Sequence, residues 1–349
     1  FRLVRDTGGA TNATTDYDST QYWNTLPSGG LPRVLFAEAD RMRSLRITPA
    51  NLENQRAAIQ EEGLGLANLP YVSAAAEFGL KLWAGTPYGH SPIGTEEDLA
   101  ALTEAEALAF HADYYAPSNA VLVIVGGFEV ESARASIAET FGTLPAGAAR
   151  PEREAFEVDR RTRAEVIADP LALFPVYAVV WHSDGARSSD ALALRVIDRI
   201  LLGHSNARFA RSIRGPLALD AYSVSLAFRD VGLLNYVFAP RTFASFEEIE
   251  AVVRDEIASL REQGPTPAEL CESVRREQFE RLAALDTHEG VAAAIARGVL
   301  LGDDPYRFAQ QLRALDALDR EAIRRVARRV LVEDFLTLET GSYTHLTLP

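Results

Sequence analysis

Residues 102–124, LTEAEALAFHADYYAPSNAVLVI, carry the pattern on which the fold turns. Thr103 with Glu106 three residues on is the spacing of a capping box, so a helix starts there. Pro117-Ser118-Asn119 interrupts the chain, and the apolar run NAVLVIVGGF (119–128) that follows, ending in glycines, predicts a short buried strand. The same succession of cap, helix, stop and apolar run returns at 318–339, LDREAIRRVARRVLVEDFLTLE. A second echo pairs TPANLENQR (48–56) with TPAELCESVRR (266–276); the two pairs lie about 216 and about 218 residues apart. Two echoes at nearly one offset predict an α+β fold of two homologous domains, each a mixed or antiparallel sheet packed on helices.

The remaining elements fit around that frame. GLPRVLFAEADRMRSL (30–45) has apolar residues at helical spacing, and Thr48-Pro49 starts another helix with a cap and a proline at the first helical position. EVESARASIAETFGTLP predicts a helix stopping at Gly142. PAGAARPEREAFEVDRRT (145–162), rich in Ala, Pro and charge, reads as a linker. Beyond it, AEVIADP, PVYAVVWHS, DAYSVSLAFRD and GLLNYVFAP read as strands, with a helix at DALALRVIDRILLG and helices from there to about Val332. The expected division is a first domain at 1–144, the linker, a second domain at 163–340, and a non-native tail at 341–349 (GSYTHLTLP). Trp83, Phe110, Tyr114 and Tyr115 read as core aromatics, His90 as a loop residue, and His111 as packing or surface.

Composition narrows the function. Hydrophobic residues make up 47% and charged residues 24%, a globular balance, and a formal charge of −14 disfavours nucleic acid and anionic membranes as partners. No apolar run approaches the length of a bilayer span. Cys271 is the single cysteine, which excludes an intrachain disulfide framework and a cysteine-rich zinc site.

GGATNATTDYDSTQYW (8–23), EADRM (38–42), NQRAAIQEE (54–62), PYGHSPIGTEEDL (87–99), YYAPSNAVLVIVGGF (114–128) and RFARSIRGPLALDAYSV (208–224) occur in an order and spacing that resembles the insulinase/pitrilysin family of zinc metallopeptidases, in its two-domain bacterial and mitochondrial-processing form. The resemblance extends over the chain to about Glu339. It implies a zinc-dependent endopeptidase that hydrolyses peptides in a chamber between two domains. The family's metal site is an inverted H-x-x-E-H on a helix plus a later glutamate, with the intervening glutamate as general base for a zinc-bound water.

Carried onto this sequence, the third zinc ligand is Glu62, and Gln55 stands where relatives often have a glutamate that supports a histidine ligand. Asn12 and Ala13 fall on an edge strand that pairs with an extended peptide; on the residues alone, Asn12 could equally cap a turn. Arg214 and Tyr222 resemble the second domain's Arg/Tyr pair, which holds substrate and the tetrahedral intermediate. In relatives that pair is usually seven apart; here it is eight, with the extra residue inside GPLALD (215–220).

Of the six histidines, at 90, 111, 182, 204, 288 and 345, no two are four apart, so H-x-x-E-H is absent. In the family register it would lie roughly 18 residues before Phe1. The expectation is therefore a fragment, inactive as it stands, of a bacterial enzyme exported to the periplasm or beyond. Its first domain would have an unpaired sheet edge and exposed apolar surface. The competing expectation is a non-catalytic homologous subunit supplying substrate-binding surface to an active peptidase. Peptide substrates, with a homologous peptidase subunit or a second copy of the chain, are the implied partners.

Overall fold

The computed structural model describes residues 2–147, 154–242, 244–302 and 304–342. The expected tail at 341–349 lies largely outside them, apart from Gly341 and Ser342, as do residues 148–153 of the expected linker.

In chain order, helix α1 (Arg2–Asp6) leads into strands β1 (Ala10–Thr15) and β2 (Thr20–Thr25). Helices α2 (Leu31–Arg43), α3 (Pro49–Ala67), α4 (Val72–Leu82), α5 (Glu96–Ala101), α6 (Glu104–Tyr114) and α7 (Val130–Thr140) follow. Strands β3 (Ala164–Ala168) and β4 (Val176–Asp184) precede helices α8 (Ala191–Leu202) and α9 (Arg208–Ser212). Next come β5 (Ala218–Ser223), β6 (Leu226–Ala227) and β7 (Val231–Pro240). Helices α10 (Phe246–Gln263), α11 (Pro267–Ala283), α12 (His288–Gly302), α13 (Arg307–Asp316) and α14 (Arg320–Val330) lead to β8 (Leu336–Gly341). The architecture is α+β, with sheet packed on helices.

The chain divides into two compact units that interleave in sequence. One draws on the described residues of Phe1–Leu64, His90–Phe156 and Leu285–Leu300, the other on those of Gly65–Gly89, Glu157–Ala284 and Leu301–Pro349.

In the second unit the sheet order is β3-β8-β4-β7-β5, with β6 also on β7. β3 and β8 are parallel and the other pairs antiparallel. Eight successive residues of β4, Val176–Ser183, are buried, so this strand is covered on both faces. On one face Tyr177, Val179 and Trp181 meet Leu234, Tyr236 and Phe238 of β7 and Val196, Ile197, Ile200 and Leu201 of α8. The other face carries Ala178, Val180 and His182, and Trp83, just past α4, stands edge-on to His182 at 5.3 Å. Truncating Ile197 to alanine in so close a core costs about 3 kcal/mol. Buried charge here is hydrogen-bonded: Arg208, 4% exposed, meets Glu269 at 3.0 and 3.1 Å, tying α9 to the start of α11, and Asp198, 5% exposed, accepts the hydroxyls of Ser223 and Ser225.

The first unit is built on local signals. Thr103 and Glu106 form the expected capping box, with Thr103 N–H on Glu106 Oε2 at 2.8 Å and Glu106 N–H on Thr103 Oγ1 at 3.3 Å. The Thr103 hydroxyl, donating to Glu106 Oε2 at 2.7 Å, and then the Thr103 N–H hold the Glu106 carboxyl below its ordinary pKa. Thr48 accepts the Asn51 N–H and gives its own N–H to the Asn51 side chain, so the helix begins where Thr48-Pro49 predicts.

Two expectations are corrected. The run 119–128 is not a buried strand: residues 120–125 form no ladder, and Leu122 is 48% exposed. Among the described residues no strand lies beside them, and an apolar run becomes a strand only through a partner. Phe110 and Tyr114 are not core either; they are exposed, with ring centroids 4.6 Å apart on a helix that buries none of its residues. Trp83 is buried as expected. Tyr115 is half-buried, its hydroxyl 2.8 Å from that of Tyr22.

Candidate functional site

In the first unit, β1 pairs with β2 and with no other described strand, setting Asn12 opposite Trp23 and Ala13 opposite Tyr22. One side of this hairpin therefore presents backbone that a further extended chain can bond. Asn12 is exposed and lies in mid-strand; its Oδ1 accepts the Ala13 N–H at 2.9 Å. The turn between the strands is held instead by Asp16, whose carboxylate accepts the N–H groups of Asp18 and Ser19. Position 12 thus caps no turn. Behind the hairpin, Arg41 lies over the Tyr22 ring at 3.9 Å, and burial with the Tyr115 hydrogen bond raises the Tyr22 phenol pKa.

Gln55 and Glu62 are both exposed on α3, a helix with no buried residue. Arg56 holds this helix in place, giving Nε–H to the Leu99 carbonyl at 2.7 Å and Nη2–H to that of Leu102 at 2.9 Å. No group of three His, Cys, Asp or Glu side chains able to hold a metal ion occurs among the described residues. Glu62 with its neighbour Glu61 does not make a zinc site, because a hydrolytic zinc needs three protein ligands and nitrogen donors are lacking here. The described residues do not fit zinc by themselves. His90 lies in a loop, edge-on to Tyr17 at 5.5 Å. His111 is stacked on Tyr115 at 5.1 Å, its Nε2 3.2 Å from the Arg41 carbonyl oxygen.

In the second unit, Arg214 is half-buried just past α9, its N–H donated to the Phe209 carbonyl at 3.0 Å. Gly215, at φ +101°, then closes a turn in which its N–H meets the Ala218 carbonyl at 2.8 Å, a backbone that a side chain would strain. On β5 the register shifts: Ala218 faces Pro240 and Asp220 faces Ala239, leaving Leu219 without a partner. This is a β-bulge, and it lies inside GPLALD, on the path from Arg214 to Tyr222. Because side chains alternate along a strand, one extra residue in a regular ladder would turn every later side chain over. Past the bulge, Ala221 points into the core and Tyr222 outward. Tyr222 is 44% exposed, and partial burial followed by the nearby Tyr71 and Asp220 raises its phenol pKa.

A further cluster in this unit is not legible in the sequence. Tyr71 has φ +68°, the left-handed region, and its N–H donates to the buried Asp169 carboxylate at 2.7 Å. Its hydroxyl donates to the Phe174 carbonyl at 2.9 Å and accepts the Phe174 N–H at 3.1 Å. The apolar stretch PLALFP (170–175), bracketed by prolines, was the available signal; a tyrosine in the left-handed region leaves no trace in sequence.

A family model described as the peptidase M16 inactive domain matches residues 101–276. The chain is 24% identical over 336 residues to an uncharacterized zinc protease of Streptomyces coelicolor, covering 93% of this chain and 72% of that one. It is 22% identical over 349 residues to the mitochondrial-processing peptidase subunit beta of Blastocladiella emersonii, covering 96% and 73%. The crystal structure of a protease from Helicobacter pylori superposes with a TM-score of 0.87 at 19% identity, covering 97% of this chain and 84% of that one, a likeness of fold. With half its length matched by that model, the chain belongs to the M16 peptidase family, whose relatives are named zinc proteases.

Proposed function

We propose that this chain is the peptide-holding body of a zinc-dependent metalloendopeptidase. The observation that carries this is the hairpin side along β1, open to an added strand at Asn12 and Ala13, in a chain whose relatives are zinc proteases. In this reading Glu62 is one ligand of a site whose histidines and general base come from sequence other than residues 1–349. Gln55 donates an amide hydrogen bond to one of those histidines, supporting it less than a carboxylate would. Arg214 and Tyr222 hold the peptide and the anionic intermediate, the guanidinium by charge and the phenol by donating its proton. The enclosed chamber, and the division into domains at 1–144 and 163–340, are parts of the same reading.

The test is the gene immediately upstream of the codon for Phe1. H-x-x-E-H on a helix roughly 18 residues before it sustains the enzyme. A helix there without it sinks the enzyme and leaves a second reading, a non-catalytic subunit that lends this surface to a homologous active peptidase. That reading is favoured by Gln55 in place of a carboxylate, and by a relative that is named as a subunit of a processing peptidase. Copurification with a homologous chain that carries H-x-x-E-H would establish it.

A further inference from the structure

Loop 170–175 is short, apolar and firmly held. Leu173 is 73% exposed, Leu171 44% and Phe174 40%. Scattered exposed apolar residues are ordinary on any surface, but three within four positions are not scattered. A loop of this composition left free would fold its side chains inward. Here it is held open at both ends: Asp169, 2% exposed, accepts the Leu171 N–H at 2.8 Å and the Tyr71 N–H at 2.7 Å. The Tyr71 hydroxyl takes both the N–H and the carbonyl of Phe174, as a paired strand would. The Tyr71 and Phe174 rings lie 5.9 Å apart.

Tyr71 makes these bonds from a backbone conformation that a bulky side chain rarely adopts, and such conformations persist where the surroundings impose them, commonly at binding sites. Pro170 and Pro175 restrict the chain further. A surface ordered in advance binds without the cost of ordering it later. In the sheet Tyr222 stands opposite Val237 of β7, and Val237 stands opposite Ala178 of β4, so the loop that leads into β4 ends two strands across from the residue assigned above to the peptide.

We propose that Leu171, Leu173 and Phe174, held by Tyr71 and Asp169, form a subsite that receives a large apolar side chain of an extended peptide lying past Tyr222. This rests on the peptide-binding reading of Tyr222 and names the substrate class that reading leaves open: extended peptides bearing Phe or Leu.

The test uses the full chain, and its readout is binding, so catalysis is not needed. Two labelled extended peptides, identical except for Phe or Ser at one position, are titrated by fluorescence anisotropy against the unaltered chain, Leu173→Ser and Tyr71→Phe. Leu173 is on the surface, so Leu173→Ser should keep the melting temperature. It should weaken the Phe peptide about tenfold and leave the Ser peptide unchanged. Tyr71→Phe, which loosens the loop while keeping the ring, should shift the same preference by less. Equal binding of both peptides to the unaltered chain, or equal loss of both in Leu173→Ser, overturns the subsite while leaving peptide binding in place. Binding of neither peptide overturns the peptide reading and the subsite with it. Self-association of the unaltered chain that Leu173→Ser abolishes, seen by sedimentation, would instead assign the loop to contact between copies and overturn the proposal.

Discussion

Residues 103–125 and 319–341 start alike and end differently. Both open with a side-chain cap, Thr103 accepting from Glu106 and Asp319 from Ala322, and both run as helices of 11 residues. Both then leave the helix for an apolar, β-prone run. In the second case that run is β8, hydrogen-bonded to β3 on one side and β4 on the other, with Leu336 3% and Leu338 6% exposed. In the first it forms no ladder, and Val121 and Leu122 are exposed. The helices differ in the same way: α14 buries Ile323, Val326, Ala327 and Val330, whereas α6 buries nothing. Helix starts are made within a few residues, so both copies have them. A strand is made by its neighbours, and only one copy has neighbours among the described residues.

The largest effect that would break this contrast is a charge placed in each run. Leu338→Asp puts an unpaired carboxylate between two strands and should cost about 4 kcal/mol or prevent the second unit from folding. Leu122→Asp, at a position already half in water, should change stability by less than about 0.5 kcal/mol. Urea unfolding followed by tryptophan fluorescence compares them; similar losses would mean that 120–125 is ordered by contacts like those of β8.

Acid should sharpen the contrast from another direction. His182 on β4 is buried, and its pKa is lowered to about 4, first by desolvation and then by Arg160 and Arg163, with Asp159 opposing them. A histidine held neutral in the fold takes up its proton more readily once unfolded, between the unfolded value near 6.5 and the folded value near 4. Its contribution is therefore complete above about pH 6.5 and is lost as pH falls toward 4, by about 2 kcal/mol once partial solvent contact is discounted. Hydrogen-exchange protection, taken relative to the intrinsic rate at each pH, should fall in β4 and β8 over that window and stay unchanged at 120–125. His182→Phe, which cannot take up the proton, should flatten the response; an unchanged acid profile in that variant would remove His182 as its cause.

The smallest effects come from the caps, where the two copies should behave alike at the helix and differently in the unit as a whole. Asp319→Ala and Thr103→Ala each remove one acceptor for an unpaired helix N–H, worth about 1 kcal/mol of helix stability. Only the first acts on a helix that is packed into a core, so only Asp319→Ala should lower the melting midpoint, by a few degrees. Circular dichroism melts of the two variants decide this.

Much of the molecule can be written down from residues in order. The caps at Thr48 and Thr103, the helix at 191–202, the strands at 176–184 and 231–240 and the order of the M16 motifs are local or periodic features, set by bonds and alternation within a few positions of one another. The candidate residues Asn12, Ala13, Gln55, Glu62, Arg214 and Tyr222 are of another kind: the resemblance to the family implies them, and their roles are part of the proposal above. Three things needed the folded chain. An apolar run became a strand at 336–341 and not at 120–125; the path from Arg214 to Tyr222 takes in a bulge at Leu219; and Tyr71 adopts the left-handed region while bonded to Asp169 and Phe174. Each of these depends on which distant backbone lies alongside. Hydrogen bonds between remote segments form only once the chain has closed the loops that bring them together, and no stretch of residues records that by itself.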